Sequence, residues 1–188
     1  KKTMNFLKWF SNYNLVPLGM CLKLHLINDE NLRIKNDKDL LRYALTNEKE
    51  SYQLSEEQDK AYKELSKNDN SFRVHLLQGT TGSGKTLVYF KAIEKILNIG
   101  SQALILLPEI GLTNEFEKKF KSYFGFEAAV WHSKVSPKKR KIIWNGLSAG
   151  KIKVVIGARS SLFLPFKKLG LITVDEEHDQ SYKQDEGI

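Results

Sequence analysis

The fold of this chain is decided by the stretch Gly79-Thr80-Thr81-Gly82-Ser83-Gly84-Lys85-Thr86. It matches the phosphate-binding pattern G-x-x-x-x-G-K-[ST] at every fixed position. The glycines let the backbone bend so that successive N–H groups point at phosphate oxygens, and a helix that begins near Lys85 adds its positive N-terminal end. We predict that Lys85 binds the β- and γ-phosphates of a nucleotide and that Thr86 offers an oxygen ligand to Mg²⁺.

The elements around this motif alternate as strand, loop and helix. An apolar run over 72–77 is predicted to be a strand, and a helical pattern follows over 85–99. Further strands are predicted at 102–107, 128–131, 153–156 and 171–174. Helices are predicted to begin at Asn114, with a capping box to Glu117, and at Ser136-Pro137. Because the strands are largely apolar, helices should cover both faces of a parallel sheet in an α/β fold.

Residues 1–50 have a different pattern. Phe6, Trp9, Phe10 and Tyr13 are spaced to line one face of a helix, and residues 29–50 are strongly charged. We predict a small helical segment with too little apolar content to fold alone. The expected division is therefore 1–50 as this segment and 51–188 as the P-loop domain.

A second motif, Leu171-Ile172-Thr173-Val174-Asp175-Glu176-Glu177-His178, ends the last predicted strand. A P-loop hydrolase needs a carboxylate at the end of a neighbouring strand to hold magnesium. Asp175 is predicted to bind Mg²⁺ directly or through its water shell, and Glu176 to accept a proton from the attacking water. His178 could hydrogen-bond between this site and a further domain, whereas Glu177 and His178 could equally form a solvated turn.

Composition and charge exclude several classes of protein. The 188 residues carry a net charge of +8 and one cysteine, Cys21, so an internal disulfide and a zinc site built on several cysteines are excluded and no zinc is expected. No run approaches the roughly 20 apolar residues of a membrane span, so no membrane partner and a cytoplasmic location are expected. Residues 113–153 hold ten bases and three acids, which suits contact with a polyanion or an ordinary solvated helix face.

Successive motifs of the chain resemble those of the PriA-type replication-restart helicases, also called primosomal protein N′. They are residues 79–86, Leu107-Pro108-Glu109-Ile110-Gly111-Leu112-Thr113, His132-Ser133, Val155-Ile156-Gly157-Ala158-Arg159-Ser160-Ser161-Leu162-Phe163, and 175–179 with Ser181-Tyr182-Lys183-Gln184. The resemblance covers roughly residues 53–188, and residues 6–25 are similar to the tail of the family's DNA-end-binding domain. It implies a RecA-like motor domain of a superfamily-two 3′ to 5′ DNA helicase, preceded by a helical remnant that could be winged-helix-like.

The resemblance also implies cofactors, partners and residue roles. ATP and Mg²⁺ would bind residues 79–86, with Lys85 and Thr86 as contacts and Asp175 and Glu176 as the carboxylate pair. Gln58 would read adenine, although it also completes a plain capping box with Ser55. Single-stranded or forked DNA would meet Thr113, Arg159 and Ser160, and His178 would couple the two sites. Other primosome proteins are further expected partners in the restart of stalled replication forks.

Whether this chain alone is an enzyme is left open by its sequence. In the family, ATP is hydrolysed between two RecA-like domains, and the second domain carries an arginine finger, a group worth about 10³ to 10⁵ in rate in well-studied P-loop enzymes. Because these 188 residues contain only the first domain, we expect Mg-ATP binding with very slow hydrolysis. The alternatives are a non-catalytic or decaying fragment that binds DNA or ATP, and a P-loop kinase, which the lack of a lid-like arginine cluster disfavours.

Overall fold

The computed structural model describes residues 2–26, 37–44, 52–67, 71–108 and 111–182. The helices are α1 (Lys2–Tyr13), α2 (Leu18–His25), α3 (Glu56–Leu65), α4 (Lys85–Asn98), α5 (Asn114–Phe124) and α6 (Pro137–Ser148). The strands are β1 (Gln102–Leu106), β2 (Ala129–Trp131), β3 (Val154–Gly157) and β4 (Leu169–Val174). Short 3-10 helices cover Asp37–Tyr43, Arg159–Phe163 and Gln180–Tyr182.

The strands form one parallel sheet in the order β2-β3-β1-β4. β1 lies in the interior of the sheet, and all five of its residues are buried because neighbouring strands and helices surround it. Leu104 pairs with Val155 of β3 on one side and with Ile172 of β4 on the other. Since parallel strands all end at one edge, the loops after them share that edge. The predicted α/β fold is confirmed.

Two apolar cores lie on opposite faces of this sheet. On one face, α4 and α5 pack with Ala103 and Ile105 of β1, and Phe90 is in contact with an aromatic group of α5. On the other face, α6 and the 3-10 helix at Asp37–Tyr43 pack with Leu104 and Leu106. Adjacent residues of β1 thus pack into different cores. This explains why the strand is apolar throughout and does not alternate between apolar and polar residues.

The first helices pack against the sheet domain. A small third core joins Leu7 of α1 and Cys21 of α2 to Phe163, and Trp144 of α6 donates a hydrogen bond to the carbonyl oxygen of His25 at 3.0 Å. The four aromatic residues predicted to share one face of α1 do so, since the Phe6 ring contacts those of Trp9 and Phe10. Trp9 and Tyr13 are 57% and 74% exposed, so part of this face is not buried. These two rings stack on each other at the surface instead.

The prediction of a strand over 72–77 is also wrong. This segment has no regular secondary structure, and Phe72, Val74 and Leu76 are each at least 77% exposed. A strand requires a neighbour for its backbone hydrogen bonds, and none of β1–β4 pairs with this segment, although the outer edge of β4 has no partner among the described strands. Apolar composition alone therefore did not produce a strand here.

The ends of the helices follow local side-chain chemistry. The predicted capping box at Ser55 is present, since the Ser55 hydroxyl accepts from the Gln58 N–H and the Gln58 amide oxygen accepts from the Ser55 N–H. Ser136 caps α6 as predicted. The predicted cap at Asn114 is wrong, because Thr113 accepts the hydrogen bond from the Phe116 N–H at 3.2 Å and so precedes the helix by one residue.

Some predictions concern residues outside the described ranges. They include the domain boundary at 50/51, Glu109 and Ile110 of the motif over 107–113, and Lys183 and Gln184. The division into 1–50 and 51–188 stays a prediction. No strand occurs in the described part of residues 1–50, so a winged-helix-like arrangement also stays a prediction. Within the described ranges, every helix is too short or too polar to cross a bilayer.

Candidate nucleotide site at the carboxyl edge of the sheet

The glycine-rich loop reaches α4 through two glycines in the left-handed region. Gly82 and Gly84 both have φ of +82°, which residues with a Cβ rarely adopt. Gly84 is the N-cap of α4 and provides no capping side chain, so the first N–H groups of the helix are not satisfied by a side-chain cap. A Cβ at Gly79 would lie 2.7 Å from the Ser83 hydroxyl, which shows how tightly the loop closes. This arrangement suits a phosphate at the start of α4.

The Lys85 side chain folds back over the loop. Its Nζ donates to the carbonyl oxygens of Gly79 at 2.7 Å and of Thr80 at 3.1 Å. The Lys85 ammonium group therefore lies against the glycine-rich loop. Its role as a phosphate contact stays a prediction.

Gln58 of α3 lies against the same loop. Its Nε2 donates to the carbonyl oxygen of Ser83 at 2.9 Å, while its Oε1 completes the capping box. A Cβ on Gly84 would collide with the Gln58 amide. The structure thus joins α3 to the loop through one side chain, and adenine recognition by Gln58 stays a prediction.

Asp175 follows β4 and is held by two tyrosines. The Tyr89 hydroxyl donates to Asp175 Oδ2 at 2.9 Å, and the Tyr182 hydroxyl donates to the Asp175 carbonyl oxygen at 2.8 Å. Burial and the charge of Asp175 raise the pKa of both phenols well above the usual 10, so both stay protonated donors at neutral pH. Thr86, three residues before Tyr89 on α4, acts in the opposite direction and lowers the Tyr89 pKa. Tyr89 therefore joins Asp175 to the helix that carries Thr86, the other predicted Mg²⁺ ligand.

Glu176 and His178 lie beside each other at the surface after β4. Glu176 has a left-handed backbone with φ of +47°, an uncommon and costly conformation for a residue with a side chain. Its carboxylate lies 3.5 Å from the His178 ring nitrogen, and both side chains are exposed. They line a cleft of about 400 Å³ together with Leu107, Pro108, Gly111, Phe116, Asp175 and Asp179. Asp175 therefore borders both this cleft and the tyrosine pair.

The three predicted DNA contacts all follow carboxyl ends of strands. Thr113 comes after β1, and Arg159 and Ser160 come after β3. The Thr113 hydroxyl is engaged as the cap of α5, Ser160 is exposed, and Arg159 Nη1 donates to the Tyr182 carbonyl oxygen at 3.4 Å. Arg159 is thus linked through Tyr182 to Asp175, a connection that the sequence alone does not show.

The residues present fit a magnesium nucleotide. Thr86 and Asp175 present only oxygen donors, which Mg²⁺ prefers, and Mg²⁺ usually takes one or two protein ligands and keeps waters for the rest. The free helix start and Lys85 supply the positive field for the phosphates. Across the described ranges, no group of three or more His, Cys, Asp or Glu is close enough to hold a metal by itself.

Sequence reasoning missed two residues of this site, Tyr89 and Tyr182. Tyr89 is three residues after Thr86, and residues three apart share a helix face, so the spacing was a usable signal. Tyr182 is part of a motif that the family resemblance already included. Neither signal identifies the partner Asp175, because that contact depends on how α4 packs against β4.

Comparison with known proteins decides the family. The model of the DEAD/DEAH box helicase family matches residues 55–187. The chain belongs to the DEAD/DEAH box helicase family. The replication restart protein PriA of Rickettsia felis is 44% identical over 190 residues, covering 100% of this chain and 28% of that protein. The PriA proteins of Bacillus subtilis and Haemophilus influenzae are 42% and 49% identical over 71% and 61% of this chain, respectively.

These matches confirm the resemblance to PriA-type helicases. The chain spans only about 28% of the length of the Rickettsia relatives that it matches along its whole length. The family match begins at Ser55, the N-cap of α3, and so includes the loop, the tyrosine pair and the strand ends described above.

Proposed function

We propose that this chain is the ATP-binding motor domain of a 3′ to 5′ DNA helicase that acts in replication restart. The observation that carries the proposal is the contact of Asp175, which follows β4, with Tyr89 of α4, the helix that begins at the phosphate-binding loop. Thr86 lies three residues before Tyr89 on the same helix, so this contact supports a site in which Thr86 and Asp175 hold a magnesium nucleotide beside the start of α4. The role in restart is supported by similarity to proteins named as replication restart protein PriA.

Each residue of the site has a definite task in this proposal. The loop N–H groups and Lys85 bind the phosphates, and Thr86 and Asp175 hold the magnesium ion. When bound, the ion neutralises charge on the phosphate oxygens and so favours attack by water. Glu176 accepts the proton of that water, and its exposed position beside the cleft gives water access to the carboxylate.

DNA is proposed to lie along the carboxyl edge of the sheet. Arg159 and Ser160 follow β3 at this edge, and Ser160 is exposed to solvent. An arginine and a hydroxyl are donors suited to phosphates. The net positive charge of residues 113–153, which carry ten bases and three acids, suits contact with a polyanion such as DNA.

Nucleotide binding is tested by calorimetric titration of Mg-ATP into the wild type, Lys85→Ala and Lys91→Ala. Lys91 is the matched control, since it lies on the same helix but pairs with Glu94 at 2.7 Å. Removing a charged hydrogen-bond donor costs about 1.5 to 3 kcal/mol, so Lys85→Ala should weaken binding roughly ten- to hundredfold. Lys91→Ala should bind like the wild type. Equal heats for the wild type and Lys85→Ala would contradict the proposal.

DNA binding is tested by the anisotropy of labelled single-stranded and forked DNA at several salt concentrations. The wild type should bind at low salt and weaken steeply as salt rises. Arg159→Ala should reduce the slope of log K against log salt by about 0.7, the value for one phosphate of a single strand. Lys60→Ala, on α3, serves as the control and should keep the slope. A wild type that does not bind at low salt would instead support an inert remnant.

A further inference from the structure

Tyr89 is a buried polar residue to which the proposed function assigns no task of its own. Its side chain is only 6% exposed and packs edge-on against Phe90 in the core between α4 and the sheet. Its hydroxyl is nevertheless satisfied, as a buried hydroxyl must be, by Asp175. A phenylalanine would fill the same core without this bond, so packing alone does not account for the hydroxyl.

The Tyr89 hydroxyl fixes one oxygen of the Asp175 carboxylate. It donates its proton to Asp175 Oδ2 at 2.9 Å. This bond occupies one carboxylate oxygen of Asp175 and leaves Oδ1, which accepts only the Glu176 N–H at 3.0 Å among the described contacts.

Tyr89 and Asp175 come from separate elements. Tyr89 belongs to α4, whereas Asp175 follows β4, which pairs only with β1 among the described strands and has two residues, Ile172 and Val174, more than 40% exposed. A strand with one neighbour is held less firmly than an interior strand. A side-chain bond from α4 is therefore the direct means of setting the position of Asp175 relative to that helix.

We infer that Tyr89 is a positioning residue whose hydroxyl holds the Asp175 carboxylate in the orientation that receives magnesium. This inference rests on the proposed nucleotide site and assigns a further residue to it. Tyr89 does not touch the nucleotide or the ion. It acts through Asp175, in the way that groups behind metal ligands orient them, and loss of such groups typically lowers metal affinity ten- to hundredfold.

The test is Tyr89→Phe, which keeps the ring and removes only the hydroxyl. ATP affinity is measured by calorimetry at increasing Mg²⁺ and also in EDTA, and folding is checked by thermal unfolding. The Mg²⁺ concentration at half-maximal effect should rise roughly tenfold or more, while ATP affinity in EDTA stays unchanged. Tyr123→Phe is the matched control, because Tyr123 is also a buried tyrosine against Phe90 but belongs to α5, and it should keep the wild-type Mg²⁺ dependence.

A second background separates positioning from general stability. In Asp175→Asn, which lacks the charged ligand, the added Tyr89→Phe change should alter Mg²⁺ dependence by less than twofold. An equal Mg²⁺ midpoint for the wild type and Tyr89→Phe would overturn the inference while leaving the proposed function in place. Loss of affinity in EDTA by the same factor as in Mg²⁺ would also overturn it, since a merely structural role would have that result. A wild type that binds no ATP at any Mg²⁺ concentration would remove the proposed function itself, and the inference with it.

Discussion

Replacing Gly84 with alanine should cost more stability than replacing Gly82, although both glycines have the same backbone conformation. Their φ values are both +82°, so a Cβ is strained at either position. They differ in their surroundings, because a Cβ at Gly82 meets nothing within 4 Å and one at Gly84 collides with the side-chain amide of Gln58. Gly82→Ala is therefore a control for backbone strain alone.

The difference between the two variants can be worked out from the contacts. A left-handed conformation costs an alanine about 1 to 2 kcal/mol, and this cost applies equally to both positions. At Gly84 the Gln58 amide must also move, which breaks its 2.9 Å hydrogen bond to the Ser83 carbonyl oxygen. Such a bond contributes about 0.5 to 1.5 kcal/mol. Gly84→Ala should therefore be about 1 kcal/mol less stable than Gly82→Ala.

The assay is urea unfolding without nucleotide, with and without the Gln58→Ala change. In the Gln58→Ala background the amide is absent, so the two glycine variants should lose the same free energy of unfolding. A loss of unfolding free energy that is about 1 kcal/mol larger for Gly84→Ala than for Gly82→Ala corresponds to a thermal midpoint lower by roughly 2 to 4 °C for a chain of this size. Equal losses at Gly82 and Gly84 in the wild-type background would refute the reasoning. So would an excess at Gly84 that persists without Gln58.

Two further predictions concern the body of the domain. The Gln102 side chain is 1% exposed and makes three hydrogen bonds, to the carbonyl oxygens of Leu147 and Ile152 and from the Lys168 N–H. Gln102→Leu should lower the free energy of unfolding by about 3 kcal/mol or more in urea titration, because backbone groups stay buried without partners; a loss below about 1 kcal/mol would contradict this. Burial, with the nearby charge of Glu94, raises the pKa of Tyr123 to about 12, so the folded state keeps a proton that the unfolded state loses from about pH 10. Stability should therefore fall as pH rises from 10 to 12, and Tyr123→Phe should fall less steeply; identical slopes would count against the buried phenol.

Much of the nucleotide site was predictable because its chemistry is local. The glycines that adopt positive φ, the lysine that follows them and the carboxylates after a strand are each recognised from a few adjacent residues. The capping box at Ser55 and the N-cap at Ser136 are equally local, and both are present in the structure. The cap at Thr113 shows the limit of such reading, since threonine and asparagine are adjacent candidates and only the backbone conformation selects Thr113.

The sequence by itself determined the α/β class, the phosphate-binding loop and the identity of the two expected magnesium ligands. These follow from residue type and short spacing, which do not depend on how distant parts of the chain pack together. The tertiary structure decided that residues 72–77 are not a strand, because a strand forms only where it pairs with another and none of β1–β4 pairs with this segment. It also decided the role of Tyr89, whose hydroxyl meets Asp175 across 86 residues of chain. That contact exists only because α4 packs beside β4, and no local pattern encodes a distance between separate elements.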